Sequence, residues 1–418
     1  MKPQKFPKIR SITQAIRFPE VENLESLIIY KLKEFGMDKL VSNGDKIALT
    51  ASSRGIKFQA LILRILVDYL KKQEANPYII PAMGSHGGAT AKGQMEILKE
   101  YGITSQSMGC PIKASMEVVK IGVTEFGTPL VVNKYVLDAD KIFIINKINT
   151  HSKFVGLVES GLSKMCLIGL GSHQGAKLYH RLIEKYSWTT VIKSLQNLIM
   201  EKLPIMAGLA IIQNAYYEVS EIHLLRPEEF SKKEPKLLER CKEIKPKIPF
   251  NDLDLLIIDE MGKNIFGTGM DTQITGKKPN SEMDVQWVFV RDLTEETHGN
   301  AQGIGLADFT TKRLVDKIDF LQTYENALTA YRTDSPKIPI FLPTDEQVLN
   351  KIIDVAGINN PSEFRIVWIK NTLELGKMLV SEALFDEIES KSTLNSVGEI
   401  EDIQFDKQGF LTNSKKYW

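Results

Sequence analysis

The sequence predicts an α/β protein built from two α/β domains. Short β-branched runs such as "KIALT" (46–50) and "LDLLIID" (253–259) alternate with helix-length amphipathic stretches, the pattern of strands fed by crossover helices. The chain has 418 residues, too many for one ordinary core. A charge-dense stretch with recurring Pro, 231–252, stands directly before a new strand and reads as the linker between the domains. The expected division is therefore 1–245, 246–390, and a polar tail, 391–418, that either docks back on the first domain or stays mobile.

In the first domain the strands are expected at 46–50, 78–81, 130–136, 141–146 and 207–212, where β-branched and aromatic residues cluster. "KFQALILRILVDYLKKQ" (57–73) has apolar residues at helical spacing and a basic end suited to the negative pole of a helix dipole. "TAKGQMEILKEYG" (90–102) is a second helix, opened by Thr90 as cap and closed by Gly102. "SWTTVIKSLQNLIMEKL" (187–203) is a third. The second domain begins with the strand 253–259. It continues through "VQWVFVRDL" as strand, "ADFTTKRLVDKIDFLQTYENAL" as one helix, and the strands "KIPIFLP" and "FRIVWIK".

Composition narrows the partners. Lys plus Arg number 53 against 52 acidic residues, so no net field draws the chain to nucleic acid or an acidic membrane. Small-molecule partners fit better. Cys110, Cys166 and Cys241 lack the spacing of a disulfide framework or a zinc site and read as reduced thiols of a cytoplasmic protein. The start of the sequence shows no secretory pattern, and no apolar run reaches the ~18 residues needed to span a bilayer.

Three strand ends pass into loops with reactive residues: "ALTASSRG" with Ser53 and Arg54, "PAMGSHGGAT" with His86, and "INKINTHSKF" with His151. Residues just past the carboxyl ends of parallel strands converge on one edge of the sheet. Two histidines there would let one accept a proton while the other donates, which suits racemisation or epimerisation; each taken alone also reads as a hydrogen-bonded turn residue. Lys164 lies in "ESGLSKMCLIGLG", where desolvation would lower its pKa and expose a nucleophilic amine; the plain alternative is a snorkelling lysine. Gly169, Gly171 and Gly175 resemble a dinucleotide turn but miss the GxGxxG spacing by one residue. His180 could serve as an imidazole ligand to a borderline metal, while His173 reads as loop structure.

In the second domain, "DEMGKNIFGTGMD" ends a strand with Asp259, Glu260 and Lys263. Lys263 could meet a carboxylate or phosphate, with Glu260 orienting it; the alternative is a solvated turn. His298 and Asn300 lie in a glycine-rich loop, and Tyr324 and Trp368 read as core or cleft wall.

Taken together, "MGSHGGAT", "ESGLSKM", "DEMGKNIFGTGMD" and "HGNAQGIGLADF", in this order from about Lys46 to the Tyr324 region, resemble the nickel-pincer-nucleotide-dependent lactate racemase family. The resemblance implies two α/β domains with the active site in the cleft between them, and interconversion of 2-hydroxy acid configurations. By resemblance, Lys164 looks like the lysine holding the pincer nucleotide through a thioamide, and His180, sixteen residues on, like the protein ligand to its nickel. His86 and His151 look like the paired acid/base residues. Arg54 and Ser53 look like groups facing the cofactor and substrate, and Lys263 like a cleft lysine from the second domain.

Two positions depart from the family pattern. Ala51 stands where an acidic residue is expected, and Glu260 where an amide is expected. Each changes how a substrate carboxylate or hydroxyl would be met, and related members act on malate, other hydroxy acids or sugar acids. The resemblance further implies cofactor-building accessory enzymes as partners. The alternatives from other classes are an NAD-dependent oxidoreductase using the glycine turn and a catalytically silent nucleotide-binding homologue.

Overall fold

The structure, a computed structural model, describes residues 6–15, 19, 21–53, 56–151, 154–214, 218–245, 247–279 and 281–418. The chain divides into two compact units. One is 18–245 with 328–331; the other combines 1–17, 246–327 and 332–418.

The first unit is organised by a five-stranded sheet in the order Asn76–Pro81, Lys46–Ala51, Lys141–Lys147, Ile205–Gln213, Val219–Leu225. The first four are parallel and the last is antiparallel to its neighbour. The side-chain period of two decides which layer each residue joins. Ile47, Leu49, Phe143 and Ile145 face the helices Leu24–Phe35 and Gln59–Lys72, while Ala48, Ile142 and Ile144 face Ser172–Tyr186, Trp188–Lys202 and Phe230–Ile244. Both faces are covered, as parallel sheets require.

Thr90 caps the helix Ala91–Glu100 by accepting from the Gly93 N–H, as its sequence predicts. The stretch 130–136 does not continue as a strand. Pro129–Asn133 is one arm of a separate two-stranded hairpin, and the Asn133 side chain accepts from the Tyr135 N–H, turning 134–136 into a 3₁₀ helix.

The supposed linker at 231–252 is largely the helix Phe230–Ile244, with Phe230, Glu234, Leu238, Cys241 and Ile244 buried. Its high charge is the solvated face of an amphipathic helix, and the helix runs on through Pro235.

The second unit contains an eight-stranded mixed sheet in the order Ile340–Leu342, Phe309–Thr311, Asp284–Leu293, Asp252–Met261, Ile366–Ile369, Lys377–Ser381, Ile9–Gln14, Leu394–Glu401. The N-terminal strand and the tail strand thus pair with each other here, although the sequence suggests the first domain for one and a docking or mobile tail for the other. The polar edge strand Leu394–Glu401 and the short strand Ile9–Gln14 beside it carry too little hydrophobic pattern to declare their partners. The single helix expected over 307–328 is broken into the strand Phe309–Thr311, the helix Lys312–Asp316 capped by Thr311, and the helix Phe320–Thr329. Thr310 and Thr311 donate to the carbonyls of Val290 and Arg291, so the β-branched residues go to the sheet.

A buried network anchors the tail. Arg291 donates to Asp345 at 2.7 and 3.0 Å, to the Leu411 carbonyl at 3.1 Å, and to Asp259. Asp259 also accepts from Trp368 Nε1 at 2.6 Å and Trp418 Nε1 at 2.8 Å. Trp368 is therefore core, whereas Tyr324 is exposed.

Candidate active site

Three neighbouring parallel strands deliver the site loops. Lys46–Ala51 is central and leads to Ser53; Asn76–Pro81, on one side, leads to His86; Lys141–Lys147, on the other, leads to His151. The two histidines thus follow strands separated by one strand, about 10 Å apart in the sheet.

His86 sits in a loop locked onto the following helix. Gly84, Gly87 and Gly88 all have positive φ, and a Cβ on Gly87 would lie 2.5 Å from Gln94 N. Gln94, itself buried, donates to the Gly84 carbonyl at 3.2 Å. Ser53 Oγ is hydrogen-bonded to His86 Nδ1, a contact that fixes the ring. Ser52 turns the other way, donating to Gln59 Oε1 at 2.7 Å. Ala51 is buried at the strand end, its carbonyl accepting from the Ala82 N–H.

His151 is held at both ends. Its backbone N–H donates to the buried Glu159 at 2.7 Å, and its Nδ1 accepts from the Phe154 N–H at 3.1 Å. The Phe154 ring stacks on His151, with centroids 4.1 Å apart, and on Trp188 at 4.3 Å. The ring also has Lys164 Nζ at 5.4 Å and the His180 ring at 5.7 Å. One buried phenyl ring is therefore the common neighbour of His151, Lys164 and His180.

Lys164 ends the short helix Leu162–Lys164, which runs straight into a π-helical turn, Met165–Gly169, and on to the helix Ser172–Tyr186 with His180. The Leu170 N–H reaches back to the Met165 carbonyl at 3.0 Å, a spacing often found at functional sites. Gly169 and Gly171 leave no room for a Cβ, which would meet Ala82 O at 3.0 Å and Tyr179 Cε2 at 3.0 Å respectively. Because the apolar run before these glycines is helical, the strand–turn–helix context of a dinucleotide site is not formed here.

At the start of this run Glu234 Oε2 accepts from Ser163 Oγ at 2.6 Å and Ser163 N at 3.1 Å. Burial pushes the Glu234 carboxyl up to about 7, against the hydrogen bonds from Ser163 and Leu162 that favour its ionised form.

Arg54 lies outside the described residues. Lys263 belongs to the other unit, where its Nζ donates to the Gly267 carbonyl at 2.7 Å and its N–H to Thr297 Oγ1. Glu260, expected beside Lys263, accepts from Asn371 at 3.0 Å, and burial raises its pKa. His298 has a left-handed backbone, and the Asn300 side chain accepts from Gln302 N; both shape their own loop.

Phe154, Glu159 and Glu234 were not marked by sequence. Phe154 offered a signal, an aromatic three residues after a loop histidine; Glu234 was concealed within a charged stretch.

Residues 11–190 match the family model of the lactate racemase N-terminal domain. Two solved structures share the fold. The lactate racemase apoprotein from Thermoanaerobacterium thermosaccharolyticum superposes with a TM-score of 0.55 at 14% identity, over 86% of this chain and 94% of that one. A protein from Thermotoga maritima superposes with a TM-score of 0.51 at 15% identity, over 66% and 72%. No curated protein matches the sequence.

Proposed function

We propose that this chain, whose residues 11–190 match the family model of the lactate racemase N-terminal domain, is an isomerase, a racemase or epimerase of a 2-hydroxy acid that works with a nickel-pincer nucleotide. The observation that carries this reading is the gathering of His151, Lys164 and His180 on the ring of Phe154. An amine nucleophile and an imidazole on one helical run, beside glycine-lined backbone without room for a Cβ, fit a flat group held covalently and through a metal. Lys164 would hold the nucleotide and His180 would ligate its nickel. His180 is given the part of the protein ligand that the family resemblance implies.

When bound, the cofactor would supply a hydride acceptor, which the reaction needs because a carboxylate is a poor electron sink for direct deprotonation of its α-carbon. His151 and His86 would exchange the hydroxyl proton. With Nδ1 of His151 accepting from Phe154 N–H, the neutral ring carries its hydrogen on Nε2 and would offer a hydrogen bond to the substrate oxygen there. His86, whose Nδ1 can give its proton to Ser53, is set to accept at Nε2. Glu159 and Phe154 fix the orientation of the first imidazole; Ser53 fixes the second. Arg54 and Lys263 are assigned to the substrate carboxylate and oxygen.

Among the described residues no helix is long and apolar enough to cross a membrane. We propose a cytoplasmic protein on the ground of its three cysteines, read as reduced thiols, with accessory enzymes supplying the cofactor.

The test is polarimetry of enantiopure 2-hydroxy acids with chain co-produced with cofactor-building enzymes. One acid of the panel should lose rotation with the wild type and keep it with His86→Ala or His151→Ala. Constant rotation across the panel with cofactor-loaded chain overturns the reading.

A further inference from the structure

Glu234 is wholly buried on the helix Phe230–Ile244, yet it serves a segment 71 residues away in sequence. Its Oε2 takes both the N–H and the O–H of Ser163, while Oε1 lies against Gly161 with no hydrogen-bond partner. A Cβ on Gly161 would run into that oxygen. The Gly161 carbonyl is fixed in turn, accepting from Asn146 Nδ2 at 2.8 Å and from the Met165 N–H at 3.0 Å. A helix start needs a cap, but a nearby Ser, Thr or Asn does that work without burying a carboxylate. A buried carboxylate with an unsatisfied oxygen costs stability, and such a cost is characteristic of sites where geometry serves function. The next residue after Ser163 is Lys164.

We propose that Glu234 is the positioning residue for Lys164: by gripping Ser163 it fixes the first turn of the helical run, so that the Lys164 amine is held over the Phe154 ring beside His151. The assignment rests on reading Lys164 as the amine that holds the cofactor. The acceptor function of the carboxyl, more than its charge, performs the positioning, because its donors come from Ser163 and Leu162, the two residues before Lys164.

Limiting acetic anhydride applied to the full chain, followed by mass spectrometry, reports the reactivity of the Lys164 amine against Lys185 on the helix Ser172–Tyr186. Glu234→Ala is expected to change the Lys164 to Lys185 ratio about fivefold or more, while Glu234→Gln, which keeps a carbonyl acceptor, stays near the wild-type ratio. A purely structural role would move both lysines together. Ser163→Ala removes only the hydroxyl and decides the matter if Glu234→Ala does not fold. An unchanged ratio in Ser163→Ala and in folded Glu234→Ala, or a parallel rise of both lysines, overturns the proposal. Absence of a cofactor adduct on Lys164 in loaded wild-type chain would instead defeat the functional reading and leave the labelling result standing.

Discussion

The rings of His151 and Phe154 lie 4.1 Å apart and within 10° of parallel, while the Phe154 N–H donates to His151 Nδ1. One residue thus fixes both the plane of the imidazole and its tautomer. Phe154→Leu keeps apolar bulk but loses the stack on His151 and Trp188. It should cost about 1–2 kcal/mol of stability, as imperfect core replacements do, and slow racemisation about tenfold or more through misplacement of His151. Urea unfolding and polarimetry on the same variant separate the two effects.

Glu234 makes stability depend on pH. Its carboxyl is raised in the folded chain from 4.5 to about 7, so the folded state holds the proton to higher pH than the unfolded state. Stability therefore falls as pH rises through this window, by up to about 3 kcal/mol in total. Glu234→Gln should flatten that part of the profile, seen as a smaller difference between urea midpoints at pH 5 and pH 8.

Gly87 and Gly93 lock the His86 loop. A Cβ at Gly87, where φ is +69°, would sit 2.5 Å from the backbone of Gly93 and Gln94. Gly87→Ala should displace His86 and lower the rate about tenfold or more, with far-ultraviolet circular dichroism unchanged, since only a loop moves.

The Arg291 guanidinium is buried between Asp259 and Asp345. Asp345→Ala leaves that charge short of a partner and also frees the Leu411 N–H. Removing one member of a buried ion pair costs about 3–5 kcal/mol. Chemical denaturation should show that loss, and a loss below about 1 kcal/mol would contradict the role given to the network.

The central strands and the helices Gln59–Lys72, Ala91–Glu100 and Trp188–Lys202 were legible because each carries its own periodic pattern, as in 46–50 and 57–73. The loops that follow strands at His86 and His151 were legible because the apolar runs 78–81 and 141–146 stop just before them. What stayed hidden depends on distant partners. Glu234 reads as linker charge until the helix it lies on turns toward Ser163. Phe154 gains its meaning only when Trp188 and His180 arrive from later helices, and Ile9–Gln14 declares its sheet only through Lys377–Ser381 and Leu394–Glu401.

The most direct test weighs the peptide that contains Lys164, taken from chain co-produced with the cofactor-building enzymes. The account predicts a pincer-nucleotide adduct on Lys164 that disappears in Lys164→Ala together with racemisation. An unmodified Lys164 in fully active protein would contradict it.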